Sequence, residues 1–262
     1  MSRPIVFLTD YGLADGFVGV CHGVIARIAP GSLVIDLTHQ VGRQDVLQGA
    51  VALGRAARFM PDDAVYLAVV DPGVGSERRP IVVETRAGAL LVGPDNGLLS
   101  MTWAELGGAE RAVEIASPEV LLHPVSRTFH GRDVFAPAAA HLAAGFVLED
   151  VGPPIPVAEL HTLDLPGPMV TPGSVGARVI AVDGFGNVQL NVRPSDLDSS
   201  GLGSMLAVGA RDIPRVAAFA DVPIGVCAAI VDSEGYIALV VNHGSAAQVL
   251  GLSVGDGVVL AG

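Results

Sequence analysis

The chain lacks lysine altogether, and its 262 residues include only two cysteines and one tryptophan. The 15 basic residues are therefore all arginine, against 27 acidic ones, for a net charge of −12. No basic stripe is left to follow a phosphate backbone, so nucleic acid is not an expected partner. Without lysine there is no Walker phosphate loop, and neither "GVGS" nor "DGFGN" is one. Cys21 and Cys227 stand far apart in apolar surroundings and read as buried free thiols. No Cys-x-x-Cys or His-x-x-x-His spacing marks a metal site, and no metal or cofactor is expected. No Gly-x-Ser-x-Gly elbow supports a serine hydrolase. No apolar run reaches the ~18 residues of a membrane span. The closest, "VAAFADVPIGVCAAIV", is broken by Asp221 and Pro223. An acidic residue at position 10 comes too soon for a signal peptide. The expectation is a soluble cytoplasmic protein with no membrane partner.

What is present is core and turns. Half of the residues are apolar, and mean hydropathy is +0.54, enough for a sizeable core. The 33 glycines and 18 prolines favour short strands over a helical bundle. Strand-like runs at 4–9, 32–38 and 64–70 alternate with helical spacing at 14–30 and 43–61. That β-α-β-α-β rhythm predicts an α/β domain with a mainly parallel sheet. "IVVET" and "ALLVGP" read as a hairpin, and a helix is expected from about 132 to 144. Proline then accumulates, and short apolar strands separated by turns follow. The division read from this is an N-terminal α/β domain at 1–155, a proline-rich linker at 156–172 and a small β-barrel domain at 173–262.

In an open parallel sheet, ligands gather beyond the carboxyl ends of the strands. Three polar outcrops stand there: "TDYGLAD" with Asp10, "VDPGVGSERR" with Asp71, and "SRTFHGRD" with His130. Singly each has an ordinary reading. Asp10 suits an Asx turn or helix cap, Asp71-Pro72-Gly73 a turn, His130 a structural role, and Arg78 and Arg79 solvated positions. Converging on one edge, the three loops would bring an acid, a base and a guanidinium together. "DGFGN", holding Asp183, Phe185 and Asn187, reads as a glycine-hinged turn.

In order along the chain, "FLTDYGLADGFVG", "VVDPGVGSERRPI", "GPDNGLLS", "TFHGRDVFAPAAAHLAAG", "DGFGNVQLN" and "VVNHGSAA" resemble the S-adenosyl-L-methionine hydroxide adenosyltransferases, relatives of the fluorinases and chlorinases. The resemblance runs from about residue 4 to the C-terminus. It implies an α/β N-domain followed by a C-terminal β-barrel. It also implies a homotrimer, with substrate held between the N-domain of one subunit and the C-domain of its neighbour. The implied activity is hydrolysis of S-adenosyl-L-methionine to adenosine and L-methionine.

Carried over by motif, Asp71, Arg78 and His130 surround a catalytic water, and Arg79 is left as a surface charge. Asp10 matches the aspartate that accepts from the ribose hydroxyls. Asn187, Asn242 and the backbone at His243 match adenine contacts, and Phe219 a stacking face. Asp183 matches the partner of the methionine ammonium, with Phe185 in the same turn. Ser233 matches a hydroxyl near the methionine carboxylate. In the fluorinases an arginine follows that serine, whereas here it is Glu234. Two rivals stand beside this reading. One is a halide-using transferase of the same fold, disfavoured because tyrosines replace Asp71 and His130 there and a serine replaces Gly131. The other is a module that binds an adenosyl ligand without turning it over.

Overall fold

Ile5–Thr9 is an uncharged run, IVFLT, buried along its length as strand β1. The computed structural model that shows this describes residues 2–165 and 167–262. Helix α1 (Phe17–Ile28) leads to β2 (Val34–Thr38), and α2 (Val46–Ala57) leads to β3 (Val65–Val69). Asp45 caps α2, its carboxylate accepting the Gln48 N–H at 2.9 Å. Strand β1 pairs in parallel with β2 on one side and β3 on the other. The chain therefore leaves β1 in one direction and returns past it in the other. Opposite faces of the sheet result. Phe7, Cys21 and Ile25 of α1 and its surroundings fill one core, and Leu8, Leu53 and Tyr66 fill the other.

β4 (Pro80–Thr85) and β5 (Leu90–Pro94) form the expected antiparallel hairpin, with β5 parallel to β3. Helix α3 (Ser100–Glu105), β6 (Ala109–Glu114), α4 (Ala136–Ala143) and β7 (Pro154–Ile155) complete the set. The sheet order is β2-β1-β3-β5-β4-β6-β7. The chain divides into two compact units, Met1–Leu163 and Asp164–Gly262. Residues expected as linker at 156–172 carry structure. Leu160 and Leu163 pack into the core of the first unit, and Met169–Thr171 is strand β8 of the second. Pro166, in the middle of that stretch, lies outside the described residues.

The second unit is antiparallel throughout its ladders. It comprises β8, β9 (Ser174–Val182), β10 (Val188–Leu190), helix α5 (Pro194–Ser200), β11 (Met205–Val208), β12 (Arg211–Pro214), β13 (Cys227–Val231), β14 (Ile237–Val241), helix α6 (Ala246–Leu250) and β15 (Gly257–Ala261). The order β12-β11-β15-β9-β10-β14-β13 curls until a single bridge, Arg215 to Ala229, joins its two ends. The result is a nearly closed barrel around Val179, Leu190, Leu206 and Leu239. Among the described residues no helix is long and apolar enough to cross a membrane.

Candidate active site

Strands β1 and β3 end side by side at the point where the two crossovers part, which is where an open parallel sheet leaves a crevice. Each strand runs straight into a polar loop, β1 into Asp10 and β3, one residue on, into Asp71. The loop after β3 turns tightly at Gly75, whose φ is +76°. A Cβ there would lie 2.5 Å from the carbonyl oxygen of Arg127. Glycine is thus what lets this loop lie against the 126–130 segment.

Arg78 folds back onto Asp71. Its Nε lies 3.0 Å from Oδ1 and 3.1 Å from Oδ2, and its Nη2 lies 2.5 Å from Oδ2. The same Nη2 is 2.8 Å from His130 Nδ1. The Asp71 and Arg78 side chains are only 6% and 10% exposed, so each charge depends on the other for compensation. The guanidinium carbon also sits 5.1 Å from the centre of the buried Phe135 ring.

A guanidinium can only donate, so His130 Nδ1 accepts, and the neutral ring carries its proton on Nε2. Burial pulls the His130 pKa below the usual histidine value, with Arg78 pulling the same way, against Asp71, Asp133 and a backbone hydrogen bond at Ser126. The neutral tautomer is therefore the working form near neutrality.

His130 is held by a small scaffold of its own. The buried Asp133 accepts from Arg132 through both oxygens, at 2.6 and 2.8 Å, and from the Ser126 N–H at 2.9 Å. Burial pushes the Asp133 carboxyl up, but these hydrogen bonds outweigh it and hold the group below its usual range. Ser126 Oγ in turn accepts the Phe129 N–H at 2.9 Å. A single wide turn at Gly131–Phe135, closed by Ala136 N–H to Gly131 carbonyl, then leads into α4.

Beside this trio lies a cavity of about 140 Å³ lined by Asp10, Tyr11, Phe17, Asp71, Phe129 and His130. Asp10 is fixed by one oxygen, Oδ2, which accepts the Gln44 N–H at 2.8 Å. Three rings form a wall: Phe17 and Phe129 meet edge to face at 5.1 Å, and Tyr11 packs on both. Burial above all, with the nearby carboxylates of Asp10 and Asp71, raises the Tyr11 pKa well above the usual phenol value, so it stays a neutral hydroxyl. Sequence reasoning missed Tyr11 and Phe17. Their only signal was adjacency to Asp10 and a place at the start of α1.

In the second unit, Asp183 organises its own turn. Oδ1 accepts from the N–H groups of Phe185 and Asn187, and Oδ2 accepts from the Asn187 side chain at 2.8 Å. Phe185 at the tip is exposed. Asn242 and His243 follow β14 at the same end of the barrel, because β10 and β14 run antiparallel. Asn242 Nδ2 donates to the Val222 carbonyl at 2.7 Å, tying that end to the segment just after Phe219. His243 has a φ of +55°. Ser233 is not brought to them within this unit. It lies in the β13–β14 turn, with the five residues of β14 in between.

Two expectations need correction. Arg79 is not a solvated charge. It donates to the buried Asp95 at 2.6 and 3.0 Å and to Glu159, clamping the chain after β7 onto the sheet. Cys21 is buried as read, but Cys227 is only half-buried. The structure also gathers His22, Asp36 and His39, which no spacing rule had flagged.

The chain is similar to known proteins along most of its length. Residues 5–152 match the family described as SAM hydroxide adenosyltransferase N-terminal domain, and residues 177–259 match its C-terminal domain. A protein of Salinispora tropica named (R)-S-adenosyl-L-methionine hydrolase is 50% identical, over 96% of this chain and 95% of its own. A fluorinase of Actinoplanes sp. is more distant, at 30% identity over 97% of this chain and 96% of its own. The crystal structure of an uncharacterized conserved protein from Thermotoga maritima superposes with a TM-score of 0.90 at 38% identity, covering 98% of this chain and all of that one. With both halves matched in order and a half-identical relative spanning nearly the whole length, the chain belongs to the SAM hydroxide adenosyltransferase family.

Proposed function

We propose that the protein hydrolyses S-adenosyl-L-methionine to adenosine and L-methionine, taking the (R) form that its relative's name specifies. The observation that carries this reading is the part-buried Asp71–Arg78–His130 constellation, of which Asp71 and His130 line the cavity at the β1/β3 crevice. The sulfonium is already a positively charged leaving group, and methionine departs as a neutral thioether. The reaction therefore requires no general acid and no electrophilic metal at the breaking bond. What it requires is a better nucleophile than bulk water.

Water attacks the ribose 5′ carbon opposite sulfur. The new C–O bond forms as the C–S bond breaks, and one water proton is lost. Asp71 is the acceptor for that proton. Of its two oxygens, Oδ1 takes one contact from Arg78 while Oδ2 takes two, which leaves Oδ1 more acceptor capacity. His130, with its proton on Nε2, acts as a donor there and not as the base. Positioning water in line shortens the search for the reactive geometry, and proton removal contributes roughly 10²–10⁴-fold. Asp10, with one oxygen held by Gln44, offers the other to the ribose hydroxyls. Asp183, Phe185, Asn187, Phe219, Ser233, Asn242 and His243 serve the adenine and methionine ends.

In this reading the working form is a homotrimer in the cytoplasm. The cavity size supports a need for further surface. About 140 Å³ is well below the roughly 300–1,000 Å³ typical of a site that encloses a whole ligand of this class.

Turnover in ¹⁸O-water tests the proposal, with both sulfonium epimers as substrate. The expected product is adenosine bearing one ¹⁸O at the 5′ position. Unlabelled adenosine, or a 5′-haloadenosine formed in halide buffer, would overturn it.

A further inference from the structure

We propose that His22, Asp36 and His39 form a binding site for a divalent first-row transition ion of the zinc class, behind the loop that carries Asp10. His22 comes from α1, Asp36 from β2 and His39 from the residue following its end. His22 Nε2 and His39 Nε2 lie 2.9 and 3.0 Å from the same oxygen, Asp36 Oδ1. The three donor atoms all fall within 4.8 Å of one another. Zinc bonds of about 2.0–2.2 Å in tetrahedral geometry put donors about 3.3 Å apart. The two histidine-to-carboxylate separations need to open by only a few tenths of an ångström to reach that value, and the two imidazole nitrogens already lie within 4.8 Å of each other.

The second observation is His39 itself. Its side chain is 97% buried, being 3% exposed, and its Nε2 has no hydrogen-bond partner among the described residues. The contact with Asp36 is close but falls outside hydrogen-bond geometry. The other ring nitrogen, Nδ1, is 2.9 Å from Thr9 Oγ1, which also accepts the Tyr11 N–H at 3.2 Å. An Nδ1–H donated to Thr9 leaves Nε2 as a bare lone pair, the state in which a second-shell partner presents a histidine to a metal. In that tautomer a buried lone pair 3.0 Å from a carboxylate oxygen is unfavourable unless a proton or a metal cation lies between them. A hydrogen-bond relay explains the His22–Asp36 contact but leaves Nε2 of His39 unanswered.

Two imidazoles and one carboxylate suit zinc and its neighbours better than magnesium or calcium, which take oxygen shells. His22 and Asp36 are 34% and 44% exposed, so water has access to a fourth position. The ion would tie α1 to β2. Through His39 it would also stiffen the pocket loop, since the His39 carbonyl accepts the Gly12 N–H at 2.7 Å. The role is positional, away from the reacting atoms, and does not depend on which reaction the cavity carries.

The test uses the whole protein, stripped with a chelator and titrated with Zn²⁺ by calorimetry and with Co²⁺ by visible absorption. One Zn²⁺ per chain and a tetrahedral Co²⁺ band are expected. His22→Ala and Asp36→Asn change partly exposed side chains and keep the fold by circular dichroism, and each should weaken Zn²⁺ at least ~10-fold. His39→Gln, which retains a polar group beside Thr9, should remove the Co²⁺ band. Absence of saturable Zn²⁺ binding, or equal affinity in a His22→Ala/Asp36→Asn double variant, would overturn the assignment.

Discussion

A Cβ placed on Gly131 would fall inside the hydroxyl of Tyr11, with the Phe129 ring only 3.3 Å away. The residue after His130 is thus glycine because the Tyr11 phenol occupies the volume of a side chain. Gly131→Ala is expected to displace Tyr11 from the cavity wall and lower kcat/KM by at least ~10-fold, on the scale that small misplacements cost. Tyr11→Phe in the same chain removes the clashing oxygen and should recover part of that loss. A Gly131→Ala variant with parent kinetics would mean the ring wall does not shape the reacting geometry.

Asp71→Asn keeps the shape but removes the proton acceptor and the countercharge of Arg78. Turnover should fall roughly 10²–10⁴-fold, while equilibrium binding of substrate survives. Melting temperature should drop as well, because a buried guanidinium loses its partner. His130→Ala should also lose turnover and keep binding. Single-turnover kinetics beside calorimetric titration separate the two effects. Parent-rate adenosine release from either variant would remove that residue from the mechanism.

The His130 pKa is lowered, so in the folded protein the neutral ring persists below the ordinary value of about 6.5. Between the two values the unfolded chain binds the extra proton. Stability from this group is therefore intact above the unfolded value and is lost as pH falls. The acid limb of kcat/KM should lie below pH ~6.5. Nitrogen-detected NMR should find Nδ1 unprotonated and a midpoint on the low side. In Arg78→Gln the midpoint should move up, since a repelling charge is gone. A wild-type midpoint at or above the ordinary value would contradict the tautomer argument.

Asp133 has a lowered pKa and therefore stabilises the fold above its unfolded value of about 3.9, an effect lost as pH falls through the lower folded value. Asp133→Asn should lower the melting temperature at neutral pH and flatten its decline on acidification. It should also reduce kcat, because Ser126 and the His130 loop lose their anchor. Identical acid-melting curves for variant and parent would show that the carboxylate does not hold the loop.

Exhaustive chelation should leave C–S cleavage intact, with no more than the modest loss of rate that a looser Asp10 loop brings, because the leaving group carries its own activation. A lower melting temperature after chelation fits the ion site behind the Asp10 loop. Loss of the chemical step, restored by adding metal, would contradict the proposed reaction.

The first half of the sheet was legible because its periodicities are local. Uncharged runs at β1 and β3 and helical spacing in α1 and α2 are written in consecutive residues, and so was the hairpin of β4 and β5. Helix α3 was not read. It spans six residues with no side-chain cap, and its place is decided by packing on α2. Leu160 and Leu163 looked like linker among prolines, since only the fold supplies the surface they bury against. At the site, the loops of Asp10, Asp71 and His130 were visible as polar interruptions at strand ends. The partners that hold them were not. Asp133 was not singled out at all, and Arg79 reads as a spare until Asp95 arrives from sixteen residues away. Long-range pairing of this kind has no spacing to detect.

A ring of strands breathes at its thinnest join. In the barrel that join is the single rung between Arg215 and Ala229, with Val216 donating to the Ala229 carbonyl at 2.9 Å. Strand β10, by contrast, is fenced by β9 and β14 on both flanks. Deuterium should therefore enter at Val216 well before it reaches Val188 or Gln189. The same gap is where a split reporter or an inserted tag can be carried with least harm to the remaining staves.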